Sequence, residues 1–228
     1  MGKSNGKTDG PKLSPMRVVS ISIIGSAIVA LVVTLLITRR PVNVPANAPR
    51  TTSFSVPAAR YSKGPASAKV TLVEFGDYQC PTCARFHPVV DALLNLHPND
   101  LKLVFYHIPL IHVHPNSIRA AIAAEAAGEA GRFWEMHDLL FVHQAEWASA
   151  PDPNPMFVEY AVRLGINAER FQLALNSDEI RAIVDADVRS AARLGVSLTP
   201  TFFVNGKAIR ALPPTFQAFD DIISAAIQ

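Results

Sequence analysis

Hydrophobic positions along this chain fall into three regimes. From Val18 to Thr38 they dominate, with no charge and no proline. At ~1.5 Å per residue such a helix crosses the ~30 Å hydrocarbon core of a bilayer. The apolar run is too long for the core of a cleaved leader, and it ends at Arg39-Arg40 without a small-x-small cleavage site. The reading is therefore an uncleaved single transmembrane helix, with a cleaved signal peptide as the alternative. Residues 1–17, polar and basic, read as a disordered tail. Residues 39–60, with Pro41, Pro45, Pro49 and Pro57 among Ala, Asn, Thr and Ser, read as an extended spacer.

Beyond residue 61 the pattern becomes that of a folded domain running to residue 228. Lys69–Phe75 and Leu101–His107 predict two strands, with a helix over Cys80–Leu96 between them that Pro88 should kink. Strand, helix, strand in that order predicts a parallel pair with a right-handed crossover. Apolar positions then recur at helical spacing for some eighty residues. Ser117–Ala127 stops at Gly128, and Arg132–Gln144 presents Phe133, Met136 and Leu140. Asn154 should cap a helix that Pro155 opens and Gly165 ends. Asn167 and Ser177 should cap two more, the second closed by Gly195. Strand character returns in Thr201–Val204 and Lys207–Arg210, joined by Asn205-Gly206, a type I′ hairpin signal. Pro214 should open a last helix that buries Phe216, Phe219, Ile222 and Ile223. A sheet that starts before a helical block and resumes after it predicts an α/β domain with a helical insertion, at about residues 112–190.

Composition narrows the function. A net charge of +2 with 18% charged residues gives no basic surface for nucleic acid. The only two cysteines, Cys80 and Cys83, lie one helical turn apart where the first strand hands over to the first helix. A disulfide closing so short a loop adds little stability, so the pair serves chemistry or a metal. Free N–H groups and the positive end of the helix dipole favour a negative sulfur at that place. Zinc asks for about four ligands, and no second Cys-x-x-Cys exists; His87, His112 and His114 are the residues available to complete such a site. His87 otherwise reads as a helix-surface residue one turn beyond Cys83, His112 and His114 as loop-structuring residues before Pro115, and Phe133 and Trp134 as core between insertion helices. Glu74, in the strand before the motif, is either a proton acceptor for Cys83 or a strand-end acid paired to a base.

Three separated stretches carry a resemblance. They are Val73-Glu74-Phe75-Gly76-Asp77-Tyr78-Gln79-Cys80-Pro81-Thr82-Cys83, the segment Gly131-Arg132-Phe133-Trp134-Glu135-Met136-His137-Asp138-Leu139-Leu140-Phe141, and Gly195-Val196-Ser197-Leu198-Thr199-Pro200-Thr201-Phe202-Phe203-Val204-Asn205-Gly206. In this order they resemble the DsbA-like thiol-disulfide oxidoreductases, and most of all their membrane-tethered bacterial members. The likeness implies a thioredoxin-like fold with an inserted α-helical subdomain, here preceded by a single transmembrane helix. It implies Cys80 as nucleophile and Cys83 as resolving thiol, with Pro81 and Thr82 between them and an acid at Glu74. It also implies a cis Thr199–Pro200 bond facing the pair, with the Thr199 backbone pairing to a bound substrate chain. Leu198 departs from the family, which often has Gly there, and the departure bears on the substrate surface rather than the chemistry.

The expectation is a membrane-anchored protein oxidising cysteine-containing substrate proteins outside the cytoplasm. Its N-terminus would be cytoplasmic, it would need no cofactor, and a membrane redox partner, plausibly quinone-linked, would regenerate its disulfide. A reductase or isomerase of the same fold is the alternative within this class. A non-catalytic anchored chaperone or metal-binding module is the alternative outside it.

Overall fold

The computed structural model describes residues 60–228. The tail, the proposed span over residues 18–38 and all but the last residue of the spacer lie outside the described residues. Among the described residues no helix is long and apolar enough to cross a membrane.

A five-stranded sheet forms the frame, in the order β1-β3-β2-β4-β5. The strands are β1 (Ser62–Lys63), β2 (Val70–Gly76), β3 (Leu101–His107), β4 (Thr201–Val204) and β5 (Lys207–Ala208). β2 and β3 run parallel from Val70↔Leu101 to Gly76↔His107, and the other pairs are antiparallel. The parallel pair is joined by α1 (Pro81–Leu96), as the strand-helix-strand order requires. The helical stretch continues through Pro88 without interruption.

Both faces of the central strands are covered, which is why they read as almost continuous apolar runs. Val70, Leu72, Leu101 and Leu103 pack with Val90 and Leu93 of α1 and with Phe219 and Ile223 of α8 (Phe216–Ile227). Val73, Phe75, Val104 and Tyr106 pack on the opposite face with Ile108, Phe203 and Ala191. Alternation along β2 therefore puts Glu74 on the face that carries α1.

Between β3 and β4 run α2 (Ser117–Gly128), α3 (Phe133–Val142), the single turn α4 (Gln144–Trp147), α5 (Asn154–Arg163), α6 (Ala168–Ala174) and α7 (Asp178–Arg193). The alanines of α2 leave room for Phe133, Met136, Leu140, Trp147 and Phe157 to close over it. α7 belongs to both parts: Ile180 and Val184 sit in this helical core, while Ala191 packs under the sheet. The insertion is thus tied into the sheet by its last helix, and its helices extend to Arg193, beyond the expected boundary near residue 190.

Local signals held where a side chain reaches a backbone donor. Asn167 Oδ1 accepts from the Arg170 N–H at 2.9 Å and Ser177 Oγ from the Ile180 N–H at 3.3 Å. Asn205 and Gly206 have φ of 48° and 77°, as a type I′ turn demands. Four details differ, one being that Phe216, expected to be buried by the last helix, is 39% exposed. Asn154 is already helical, with Pro153 at the cap position. Thr215, not Pro214, starts the last helix, its Oγ1 accepting from the Ala218 N–H at 3.1 Å. Strand pairing after the hairpin ends at Ala208.

Candidate active site

Cys80 is the N-cap of α1 and Pro81 follows it inside the helix. Pro81 has no N–H, so the first free donors of the helix are those of Thr82 and Cys83. Both act on the Cys80 sulfur. Cys80 is 7% exposed and Cys83 is fully buried, and both are free thiols. Cys83 packs with Tyr78, Phe105 and the core of the helical insertion.

The two sulfurs are held in opposite electrostatic states. A hydrogen bond from the Cys83 thiol is the largest influence on Cys80. Together with Thr199 and the N–H groups of Cys83 and Thr82, it outweighs burial and brings Cys80 down to about 5. Burial pushes Cys83 far above an ordinary thiol, and the hydrogen bond to Cys80 and the nearby Glu74 charge push it further. Glu74 is 2% exposed, and its Oε1 has no hydrogen-bond partner. Burial first, and then the negative charge of Cys80, raise it to about 8. The strand-end ion pair considered for Glu74 is not formed: among the described residues no base pairs with it.

Thr199–Pro200 is a cis bond, and the Thr199 carbonyl oxygen lies 3.5 Å from Cys80 Sγ. Pro200 is buried, and Leu198 beside it is 73% exposed. The Thr82 hydroxyl faces outward and accepts from Arg85 Nη2 at 3.1 Å.

The histidines fall differently from the sequence expectation. His87 is buried rather than on the helix surface, 9% exposed and stacked on Phe141 at 5.2 Å between ring centres. His112 is exposed in a turn. His114 Nδ1 lies 2.7 Å from Asp77 Oδ2, so it structures the loop as read. Phe133 is core, stacked on Tyr61 at 4.1 Å, and Trp134 borders both hydrophobic cores.

Four supporting residues escaped the sequence reading. Asp77 is buried; it accepts from the Gln79 N–H at 2.8 Å and the Leu110 N–H at 2.9 Å in addition to its contact with His114. It ties the cysteine loop to the loop after β3. Gln144 Nε2 donates to the carbonyls of Tyr78 at 2.6 Å and Cys80 at 3.0 Å. Gln79 donates to the Ala148 carbonyl at 2.8 Å and accepts from the Asn116 N–H at 2.7 Å. Asn116 itself donates to the Ala150 carbonyl at 2.8 Å. Asp77 had a local signal, since an Asp two residues before an N–H forms an Asx turn. Gln144 and Asn116 had none, because their partners are brought near only by the fold.

Comparison with known proteins agrees with this geometry. The thioredoxin family model matches residues 59–225. Among solved structures, oxidised BdbD from Bacillus subtilis is 25% identical, with a TM-score of 0.65, over 73% of this chain and 91% of its own. A thioredoxin-like oxidoreductase from Silicibacter pomeroyi is 28% identical, with a TM-score of 0.61, over 78% and 98%. α-DsbA1 of Wolbachia pipientis shares the fold, with a TM-score of 0.66 at 17% identity, over 75% and 92%. Curated relatives include the Na(+)/H(+) antiporter NhaA 1 of Salinispora arenicola, 44% identical over 151 residues and 66% of this chain. The chain spans only 22% of that antiporter's length. With the family match running from the spacer through the last helix, and a buried dithiol at the start of α1, the chain belongs to the thioredoxin family.

Proposed function

We propose that this protein is a membrane-anchored oxidase of protein thiols, held by residues 18–38 with its C-terminal domain outside the cytoplasm. The observation that carries the reading is the opposed state of Cys80 and Cys83. In the disulfide form a substrate thiolate attacks Cys80 Sγ, and the Cys83 sulfur leaves with the electron pair. Glu74, protonated below about pH 8 and near enough to act electrostatically on Cys83, would supply that sulfur with its proton. The substrate's second thiolate then attacks the substrate sulfur of the mixed disulfide and expels Cys80 as a thiolate. The substrate loses two electrons and the cysteine pair gains them. Cys80 leaves readily because its thiolate is stabilised, and the same stabilisation favours the reduced enzyme over its disulfide. The Thr199 carbonyl beside Cys80 supports backbone pairing with a substrate chain. A membrane redox partner that accepts the two electrons completes the cycle.

Direction is tested by the redox equilibrium of the full chain with glutathione. An oxidase should sit nearer about −120 mV than about −270 mV. A potential in the lower range would make the protein a reductase. Anchoring is tested separately, by carbonate extraction and by sequencing the mature N-terminus. A mature protein that begins after residue 38 would remove the anchor and leave the chemistry intact.

A further inference from the structure

One buried cluster plays no part in the thiol chemistry. His87 of α1 and His137 and Asp138 of α3 bring ligand atoms within 4.8 Å of one another. His87 Nε2 lies 3.7 Å from Asp138 Oδ1 and 3.6 Å from Asp91 Oδ2. These separations are too long for hydrogen bonds. Asp138 Oδ1 is buried without any hydrogen-bond partner. Lys63 does not fill the gap. It takes the other oxygen of each carboxylate, Asp91 Oδ1 at 2.9 Å and Asp138 Oδ2 at 3.5 Å. Each acid thus has one oxygen on Lys63 and one turned to His87.

We propose that His87, His137 and Asp138 form a three-residue site for a divalent transition metal such as Zn²⁺. Bonds of about 2.0–2.2 Å in a tetrahedral site separate ligand atoms by roughly 3.4 Å. The 3.7 Å between His87 and Asp138 is close to that, and all three ligand atoms lie within 4.8 Å of one another. Imidazole and carboxylate are the donors such an ion takes. His137 is already oriented, with Tyr78 Oη 3.0 Å from its Nδ1, which leaves Nε2 for the metal. An ion there would clamp α1 to α3 beneath the cysteine loop through Tyr78. This site differs from the cysteine-based zinc site weighed from sequence, because neither sulfur is among its ligands.

The test uses the full chain, purified without a histidine tag and fully oxidised so that the thiols cannot bind. Zn²⁺ is titrated calorimetrically and Co²⁺ by absorption. The expected result is one equivalent bound at micromolar strength or better, with a cobalt spectrum free of thiolate charge transfer. Zn²⁺ should raise the melting temperature. His87→Gln and Asp138→Asn should each weaken binding by more than the roughly tenfold that losing a supporting hydrogen bond costs. His112→Gln, in an exposed turn, should leave binding unchanged. Circular dichroism of the metal-free variants establishes that each is folded, and the partly exposed Asp138 is the substitution best tolerated. No saturable binding to the oxidised wild type would overturn the site. So would binding unaffected by Asp138→Asn in a folded variant, or binding confined to the reduced protein and lost in Cys80→Ser.

Discussion

Cys80 Sγ lies 3.5 Å from the carbonyl oxygen of Thr199, a residue 119 positions further along the chain. The whole helical insertion separates them in sequence. They meet because β2 and β4 are neighbours in the sheet, paired from Leu72↔Val204 to Phe75↔Thr201, so that the segments leaving one end of each strand come together. A thiol from one loop and a backbone carbonyl from another thus meet at one place on the domain.

The first prediction concerns the two sulfurs. Wild-type reduced protein should alkylate at Cys80 with a midpoint near pH 5. The strongest influence lowering Cys80 is the Cys83 thiol itself, so Cys83→Ala should move that midpoint upward while helix-start N–H groups keep it below the ~8.5 of a free thiol. In Cys80→Ala, the buried Cys83 should stay unreactive through neutral pH. The pH dependence of iodoacetamide labelling checks all three. Equal labelling profiles for the two single variants would remove the basis for assigning nucleophile and resolving roles.

Glu74 should leave a signature in the pH dependence of stability. Its folded value of about 8 exceeds the ~4.3 of an exposed Glu, so its contribution falls as pH rises from ~4.3 to about 8. Cys80 does the opposite. Its folded value of about 5 lies below ~8.5, so its contribution is fully present above ~8.5 and is lost as pH falls through 5. In the reduced protein the two oppose each other between about pH 5 and 8. Glu74→Gln should therefore make reduced-state stability climb with pH across that window, as read by denaturant midpoints. The same variant should slow attack of substrate thiolates on the Cys80–Cys83 disulfide, because the departing Cys83 sulfur has lost its proton donor. An unchanged pH slope together with an unchanged rate of that attack would leave Glu74 without a role.

Asp77 and Gln144 hold the cysteine loop by buried hydrogen bonds. Asp77→Ala strands the N–H groups of Gln79 and Leu110, and Gln144→Ala strands the carbonyls of Tyr78 and Cys80. Leaving a buried polar group unpaired costs about 1–3 kcal/mol. Each variant should lose stability by that order, Asp77→Ala more, because His114 also loses its partner. Both should show a less oxidising potential than wild type, since a loosened loop presents fewer N–H groups to Cys80. Chemical denaturation and glutathione equilibria read the two effects separately.

Gly76 is required by its neighbour rather than by its backbone angles. A Cβ there would overlap the ring of Phe105 across the β2–β3 pair. Phe105 in turn stacks on Tyr78 at 5.2 Å between ring centres. Gly76→Ala should destabilise the domain by about 1–3 kcal/mol, the usual cost of overpacking. Adding Phe105→Leu should recover part of the loss, making the double variant less unstable than the two single effects summed. Strict additivity of the two would show that the clash is relieved elsewhere.

Much of this protein is legible in its residues, for a physical reason in each case. The strands announce themselves as apolar runs because both sheet faces are covered. Helix ends at Asn167 and Ser177, and the Asn205-Gly206 turn, depend on atoms within three residues and need no knowledge of the fold. The cysteine pair at a strand-helix junction narrowed the choice to thiol chemistry or a metal, because a helix start polarises whatever sulfur sits there. The fold decided what depends on distant partners. His87 looked like a surface residue because a helix's outward face is unknown until α3 packs against it. Gln144, Asn116 and the Thr199 carbonyl reach the cysteine loop only through tertiary contact. The degree of separation between Cys80 and Cys83 was likewise a tertiary outcome: one turn of helix determines their spacing, but burial of Cys83 in the insertion core, beside Glu74, sets one sulfur charged and the other protonated.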